Sequence, residues 1–121
     1  MSKSEHLDVG KIGEEMAKAF LKTKGYKIVS QNWKNKYSEI DIIASDNKEI
    51  VFVEVRARVG DKFGSPEETI DYKKRKKLEF NARSFMTINK LNTEYRIDAI
   101  CIVLDKEKTI KRINHYQNIT L

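Results

Sequence analysis

The segment Ile50-Val51-Phe52-Val53-Glu54-Val55-Arg56-Ala57-Arg58 constrains this chain more than any other. Its first half is β-branched and apolar, without the alternation of a strand that faces water on one side. It therefore predicts a strand buried on both faces, inside a sheet covered by helices. Yet Glu54 stands in its middle, and an ionised carboxylate there is costly unless it is paired or bound to a metal. Asp41, between Ile40 and Ile42-Ile43, poses the same problem.

The flanking sequence supplies the rest of the layers. Val9, Ile12, Met16 and Phe20 recur at helical spacing, and Gly13, Ala17 and Leu21 extend the stripe, so a helix is predicted over 8–24. Asp8 is its expected N-cap and Gly25 its stop. Tyr26–Asn32, Ser38–Ser45 and Ile50–Arg58 read as strands of an antiparallel meander, with a turn at 46–49. After a loop carrying Gly60 and Gly64, Ser65-Pro66-Glu67-Glu68 reads as a helix start, with Ser as N-cap, Pro at the first position and Glu68 closing a capping box. Helical character then runs, with room for a break, to about Lys90, its buried stripe being Leu78, Ala82, Phe85 and Met86. Tyr95–Leu104 reads as a buried strand and Thr109–Tyr116 as an edge strand. The order is α-β-β-β-α-β-β. The helical crossover between the third and fourth strands permits parallel pairing there. The expected fold is α/β: a mixed β-sheet flanked by helices, in a single domain over 1–121.

Several classes are excluded. The longest apolar run, Ala99–Leu104, has six residues, far short of the roughly 18 that a bilayer span needs. The polar N-terminal stretch has no signal-peptide core. A lone Cys101 inside that run reads as a core residue and fits a reducing cytoplasm. His6 and His115 stand at opposite ends of the chain, so no Cys/His zinc cluster is expected.

Charge is concentrated. The chain carries 24 Lys and Arg against 18 Asp and Glu, a net +6. Residues 56–90 hold ten basic side chains and five acidic ones, peaking at Lys73-Lys74-Arg75-Lys76-Lys77. A solvated helix face and a polyanion footprint both fit such a run. On the helix, Lys74 precedes Leu78 by one turn and is expected to face inward. Lys73, Arg75, Lys76 and Lys77 are expected to face solvent.

The acids admit two readings. Period-2 geometry puts Glu39 and Asp41 on one face of their strand, and Glu54, Arg56 and Arg58 on one face of theirs. If the strands are neighbours, Asp41 and Glu54 converge beside a guanidinium. The result is either an acid–arginine network that serves only the fold or a divalent-metal site. Mg²⁺ takes one or two carboxylates, keeps waters and binds substrate phosphate. Glu14 borders the apolar stripe of the first helix. It is either a surface acid stabilising the first turn or a third acid reaching over the strands.

Gly10-Lys11-Ile12-Gly13-Glu14-Glu15-Met16-Ala17, Gly25-Tyr26, Glu39-Ile40-Asp41-Ile42-Ile43-Ala44 and Phe52-Val53-Glu54-Val55-Arg56 together resemble the YraN-like family of uncharacterised bacterial proteins. Phe63-Gly64, Ile70-Asp71, Lys74, Leu78, Ala82 and Arg96-Ile97-Asp98 extend the resemblance over nearly the whole chain. That family is similar to archaeal Holliday-junction resolvases of the PD-(D/E)xK nuclease superfamily. The resemblance implies a restriction-endonuclease-like core and Mg²⁺- or Mn²⁺-dependent hydrolysis of DNA, branched DNA included, by a homodimer. It implies Asp41 and Glu54 as metal ligands, Glu14 as the helix-borne acid and Glu39 as a supporting acid. From the charge concentration in 56–90, Arg56, Arg58, Lys73, Lys74, Arg75 and Lys77 are expected along the DNA.

Arg56 stands where the motif has Lys, and Ser38 where a Gly usually precedes Glu-x-Asp. A guanidinium stays charged and cannot act as a base, although it binds phosphate bidentately and stabilises negative charge. If the motif lysine acts electrostatically, Arg56 substitutes for it. If it transfers a proton, the chain is a nucleic-acid-binding module whose nuclease site has decayed.

Overall fold

The strand around Glu54 is the middle strand of a five-stranded sheet, in the order β1-β2-β3-β4-β5. The computed structural model describes residues 3–47 and 49–120. Its elements are α1 (Lys3–Thr23), β1 (Lys27–Lys34), β2 (Glu39–Asp46), β3 (Glu49–Val59), a single 3₁₀ turn (Pro66–Thr69), α2 (Tyr72–Ile88), β4 (Tyr95–Leu104) and β5 (Ile110–Tyr116). The meander β1-β2-β3 is antiparallel, β3 and β4 pair in parallel across the α2 crossover, and β5 returns antiparallel at the edge. This is the expected mixed α/β architecture.

Each helix covers one face. Val9, Ala17 and Leu21 of α1 pack on Ile42, Ala44, Val51, Val53, Ile100 and Ile102. Leu78, Ala82, Phe85 and Met86 of α2, the stripe read from the sequence, pack on Ile40, Ile43, Phe52 and Ile97. Phe85 meets both Trp33 and Phe52 edge to face, at 5.2 and 5.5 Å between centroids. Cys101 is buried in β4, and burial pushes its thiol up to about 12. No helix among the described residues is long and apolar enough to cross a membrane.

Two helix starts differ from expectation. Asp8 is not the N-cap of α1; it lies inside a helix that begins at Lys3. Nothing between Lys3 and Asp8 breaks a helix, and Glu5 in the first turn suits the positive end of the helix dipole. The end of α1 is as expected. Gly25 takes φ +90°, its N–H donates to the Lys22 carbonyl, and the Tyr26 N–H donates to the Leu21 carbonyl, which is a Schellman stop. At the second helix Ser65 makes no side-chain cap. Pro66–Thr69 forms only a 3₁₀ turn, the chain leaves helical geometry at Ile70, and α2 restarts at Tyr72. Asp71 caps it, its carboxylate accepting the Lys74 N–H at 2.8 Å.

A buried polar cluster ties the C-terminal segment to the α1 face. Asp98 is wholly buried and accepts from Arg96 Nε (3.0 Å), His115 Nε2 (2.8 Å) and the Asn118 N–H (3.0 Å). Burial alone would raise its carboxyl; the bonds from His115 and Arg96 outweigh this and hold it below the ordinary aspartate range.

Candidate functional site

The site forms where the β2–β3 ladder stops. Pairing runs from Asp46↔Glu49 to Ile42↔Val53 and goes no further. At the next step the Asp41 side chain takes over, Oδ2 accepting the Val55 N–H at 2.9 Å. On the other flank of β2, Asn32 sits at φ +55° between the pairs Gln31↔Ile42 and Trp33↔Ile40. The alternation of β2 changes phase here: Ile42 and Ala44 face α1, whereas Ile40 joins Ile43 against α2. Period-2 reasoning therefore does not carry from Asp41 back to Glu39. Glu39 is exposed, and its carbonyl accepts from Asn81 Nδ2 at 2.8 Å.

In β3 the alternation is unbroken. Val55, Ala57 and Val59 pack on the α1 side, leaving Glu54, Arg56 and Arg58 toward α2. Glu54 is 7% exposed. Its Oε2 is approached by Arg56 Nη2 at 2.8 Å and by Lys74 Nζ at 3.3 Å. Lys74 faces inward, as its helical position predicts.

Asp41 and Glu54 meet. Burial, and then the negative charge and hydrogen bonding of Glu54 beside it, push the Asp41 carboxyl up to about 8. Glu14 joins from α1. Burial raises its carboxyl against a hydrogen bond from Asn32, with Glu15, Glu54 and Glu39 adding negative potential. Gly13 brings this helix in: a Cβ there would lie 2.6 Å from Ala57 Cβ. The edge of α1 thus rests on β3 one residue before Glu14.

The basic residues divide. Lys73 and Lys77 are exposed, Lys77 Nζ donating to the Tyr37 carbonyl at 2.6 Å. Arg75 is not free in solvent as expected; it is half-buried and donates to the Ile70 carbonyl at 3.3 Å. The helix break at Ile70 explains this, since it leaves that carbonyl outside the α2 ladder. Arg58 leans on the Gly64 carbonyl at 3.4 Å. Beside it opens a groove of about 950 Å³ between the end of β3, α1 and the loops around Lys62 and Lys106. Lys62, Lys106 and Lys111 line it; the last two lie outside the basic segment counted from the sequence.

Two residues escaped the sequence reading. Asn32 reads as the last residue of a strand, and its left-handed conformation has no signal beyond asparagine's tolerance for it. Asn81 had one: it is a polar residue beside the stripe Leu78–Ala82, and it is 2% exposed. Asn81 Oδ1, Ser38 Oγ and Arg56 Nε are buried without a protein partner. The oxygen ligands suit a hard cation that keeps part of its water shell: two carboxylates, with the unpaired Asn81 Oδ1 lining the same small cavity as Glu54. Among the described residues no three Asp, Glu, His or Cys side chains converge to chelate a metal. Such an ion would rely on Asp41, Glu54 and solvent or substrate oxygens.

Residues 13–102 match the family model described as "Uncharacterised protein family UPF0102". A UPF0102 protein of Thermodesulfovibrio yellowstonii is 40% identical over 112 residues, covering 93% of this chain and 95% of that one. One of Thermotoga maritima is 45% identical over 111 residues (92% and 95%). One of Porphyromonas gingivalis is 36% identical over 115 residues (95% and 85%).

Proposed function

The chain belongs to the UPF0102, or YraN-like, family, and from that premise we propose that it is a metal-dependent DNA endonuclease of Holliday-junction-resolvase type. The observation that carries this reading is the Asp41–Glu54 pair at the end of the β2–β3 ladder, with two cationic side chains on Glu54. The raised Asp41 carboxyl and the unpartnered buried polar atoms of Asn81 and Arg56 support a functional site over a network that serves only the fold.

Asp41 and Glu54 hold Mg²⁺ or Mn²⁺. Such an ion, when bound, supplies Lewis-acid polarisation of the scissile phosphate and a more acidic water. Asp41 is anchored for this task by the Val55 N–H. Glu14, held by Asn32, adds negative potential on the helix side. Arg56, its side chain partly exposed, stabilises charge developing on the phosphate. Lys74 brings an ammonium to the acid that Arg56 also touches, and so supplies a lysine that position 56 lacks. Lys73, Lys77 and Arg58 contact neighbouring phosphates. Two copies cutting a branched duplex would form a homodimer.

One observation favours the rival reading, a DNA-binding module without chemistry. The Arg56 guanidinium already pairs with Glu54 and cannot accept a proton. Purified protein with Mg²⁺ or Mn²⁺ on branched and linear DNA decides between them. Cleavage lost in both Asp41→Ala and Glu54→Ala supports the nuclease, and cleavage surviving both overturns it. Salt-sensitive DNA binding without cleavage under either metal favours the rival.

A further inference from the structure

Among the described residues, four exposed rings each carry a lysine: Tyr37 with Lys36, Phe63 with Lys62, Tyr72 with Lys76, and Phe80 with Lys77. An exposed ring alone needs no explanation. The placement of two of them does. Lys77 Nζ lies 4.8 Å from the centre of the Phe80 ring and also donates to the carbonyl of Tyr37. It thereby ties the Phe80 ring to the backbone of Tyr37, and both residues are exposed, at 45% and 67%. Lys77 sits one helical turn beyond Lys74, which touches Glu54. The helix that carries Phe80 thus also reaches the Asp41–Glu54 site.

The backbone beneath both rings is fixed. Asn35 Oδ1 accepts the N–H groups of Tyr37 and Ser38 at 3.0 and 2.8 Å, and the Asn35 N–H donates to the Ser38 carbonyl. Tyr37 therefore stands on a closed turn, and Phe80 on a helix. Little ordering remains to oppose a planar ligand. The lysines make this surface strongly positive, so a second copy of the same face would be repelled. A polyanion that also offers flat faces fits it. In duplex DNA the base faces are covered by their neighbours; only unpaired bases can lie on a side-chain ring while their phosphates meet lysines.

We propose that Tyr37 and Phe80, with Lys77 between them, form a stacking platform for unpaired bases. The preferred ligand is then nucleic acid with a single-stranded segment beside the point of cleavage, such as a flap, a gap or an open junction arm. The inference rests on the nuclease reading for its orientation, but it is tested by binding alone.

The experiment is fluorescence titration without metal. It compares a 15-nucleotide single strand carrying 2-aminopurine with a 15-base-pair duplex, using wild type, Tyr37→Ala/Phe80→Ala and Tyr37→Trp. Expected are tighter binding of the single strand by wild type and quenching of the 2-aminopurine. The double variant should lose about tenfold or more on the single strand and less than threefold on the duplex, and Tyr37→Trp should retain both binding and quenching. Equal losses on both ligands, or none, overturn the platform while leaving duplex binding and the nuclease reading in place. Failure of wild type to bind either ligand also overturns the platform, while cleavage of branched DNA with metal judges the nuclease reading separately. A wild-type dimer that becomes monomeric in the double variant would reassign the rings to self-association and overturn the proposal.

Discussion

Lys74 Nζ stands 3.3 Å from Glu54 Oε2, reaching the central strand from the opposite layer. The same oxygen is held by Arg56 from within β3. If Lys74 performs the lysine's work, Lys74→Met should lower cleavage by about 10²–10³-fold, the cost of removing one aimed electrostatic group. Arg56→Lys should then change the rate little. The opposite pattern, a large gain for Arg56→Lys and little effect at Lys74, would assign the deficiency to position 56. Single-turnover cleavage rates, with circular dichroism to confirm folding, separate the two.

Asp41 and Glu54 are two acids forced together in a buried corner, and without a cation that closeness opposes folding. Asp41→Asn keeps an oxygen for the Val55 N–H and removes a charge. In EDTA at pH 8 the variant should melt several degrees higher than wild type. Saturating Mn²⁺ should raise the melting temperature of wild type but not of Asp41→Asn. A variant that melts lower than wild type in EDTA would show that the acid pair supports the fold.

Glu67 fastens the 3₁₀ turn to the edge strand. Arg112 grips it with two nitrogens, at 2.7 and 2.9 Å, and the Tyr116 hydroxyl donates to it at 2.7 Å. Arg112 first, and Tyr116 as a further donor, pull its carboxyl down to about 2. A depressed acid contributes its stability above its unfolded pKa, near the ordinary glutamate value, and loses it as pH falls through the folded one. The stability deficit of Glu67→Gln should therefore be present at pH 7, of order 1 kcal/mol for a partly exposed pair. It should shrink below about pH 4.5 and vanish near pH 2. Urea titrations of both proteins at pH 7, 4 and 2.5 check this.

Gly13→Ala tests how closely α1 lies on the sheet. Alanine is the better helix former by about 1 kcal/mol, yet its methyl would fall 2.6 Å from Ala57 Cβ. A net loss of about 1–3 kcal/mol is expected from overpacking. Ala57→Gly should relieve part of it, which a double-mutant cycle in urea would register. Because Glu14 is the next residue, cleavage should fall more than stability accounts for.

The element order and both helix faces were legible because they rest on hydrophobic period and turn chemistry, which are local; the length of the crossover only permitted the parallel pairing that β3 and β4 make. The inward turn of Lys74 was legible for the same reason, one turn ahead of Leu78. The start of α2 was misread because Ser65-Pro66 and Asp71 both carry start signals, and only packing decides which one caps the long helix. Arg75 follows from that, since its partner exists only because the chain breaks at Ile70. Asn32 and the phase change at Asp41 were invisible, because a left-handed residue opposite a ladder's end is a property of two strands together. The acid pair was visible as a puzzle, two carboxylates in apolar strands, before their meeting could be seen.

Cys101 has a use beyond packing. It is the chain's single cysteine, wholly buried in β4, with its thiol pushed up to about 12. Alkylating and disulfide reagents should leave the folded protein untouched and mark each molecule once when the sheet opens. The rate of that labelling is a clock for opening of the central sheet, and it can be read with DNA or metal present or absent. A cysteine introduced on the surface could likewise carry a dye or spin label with no background from the native thiol.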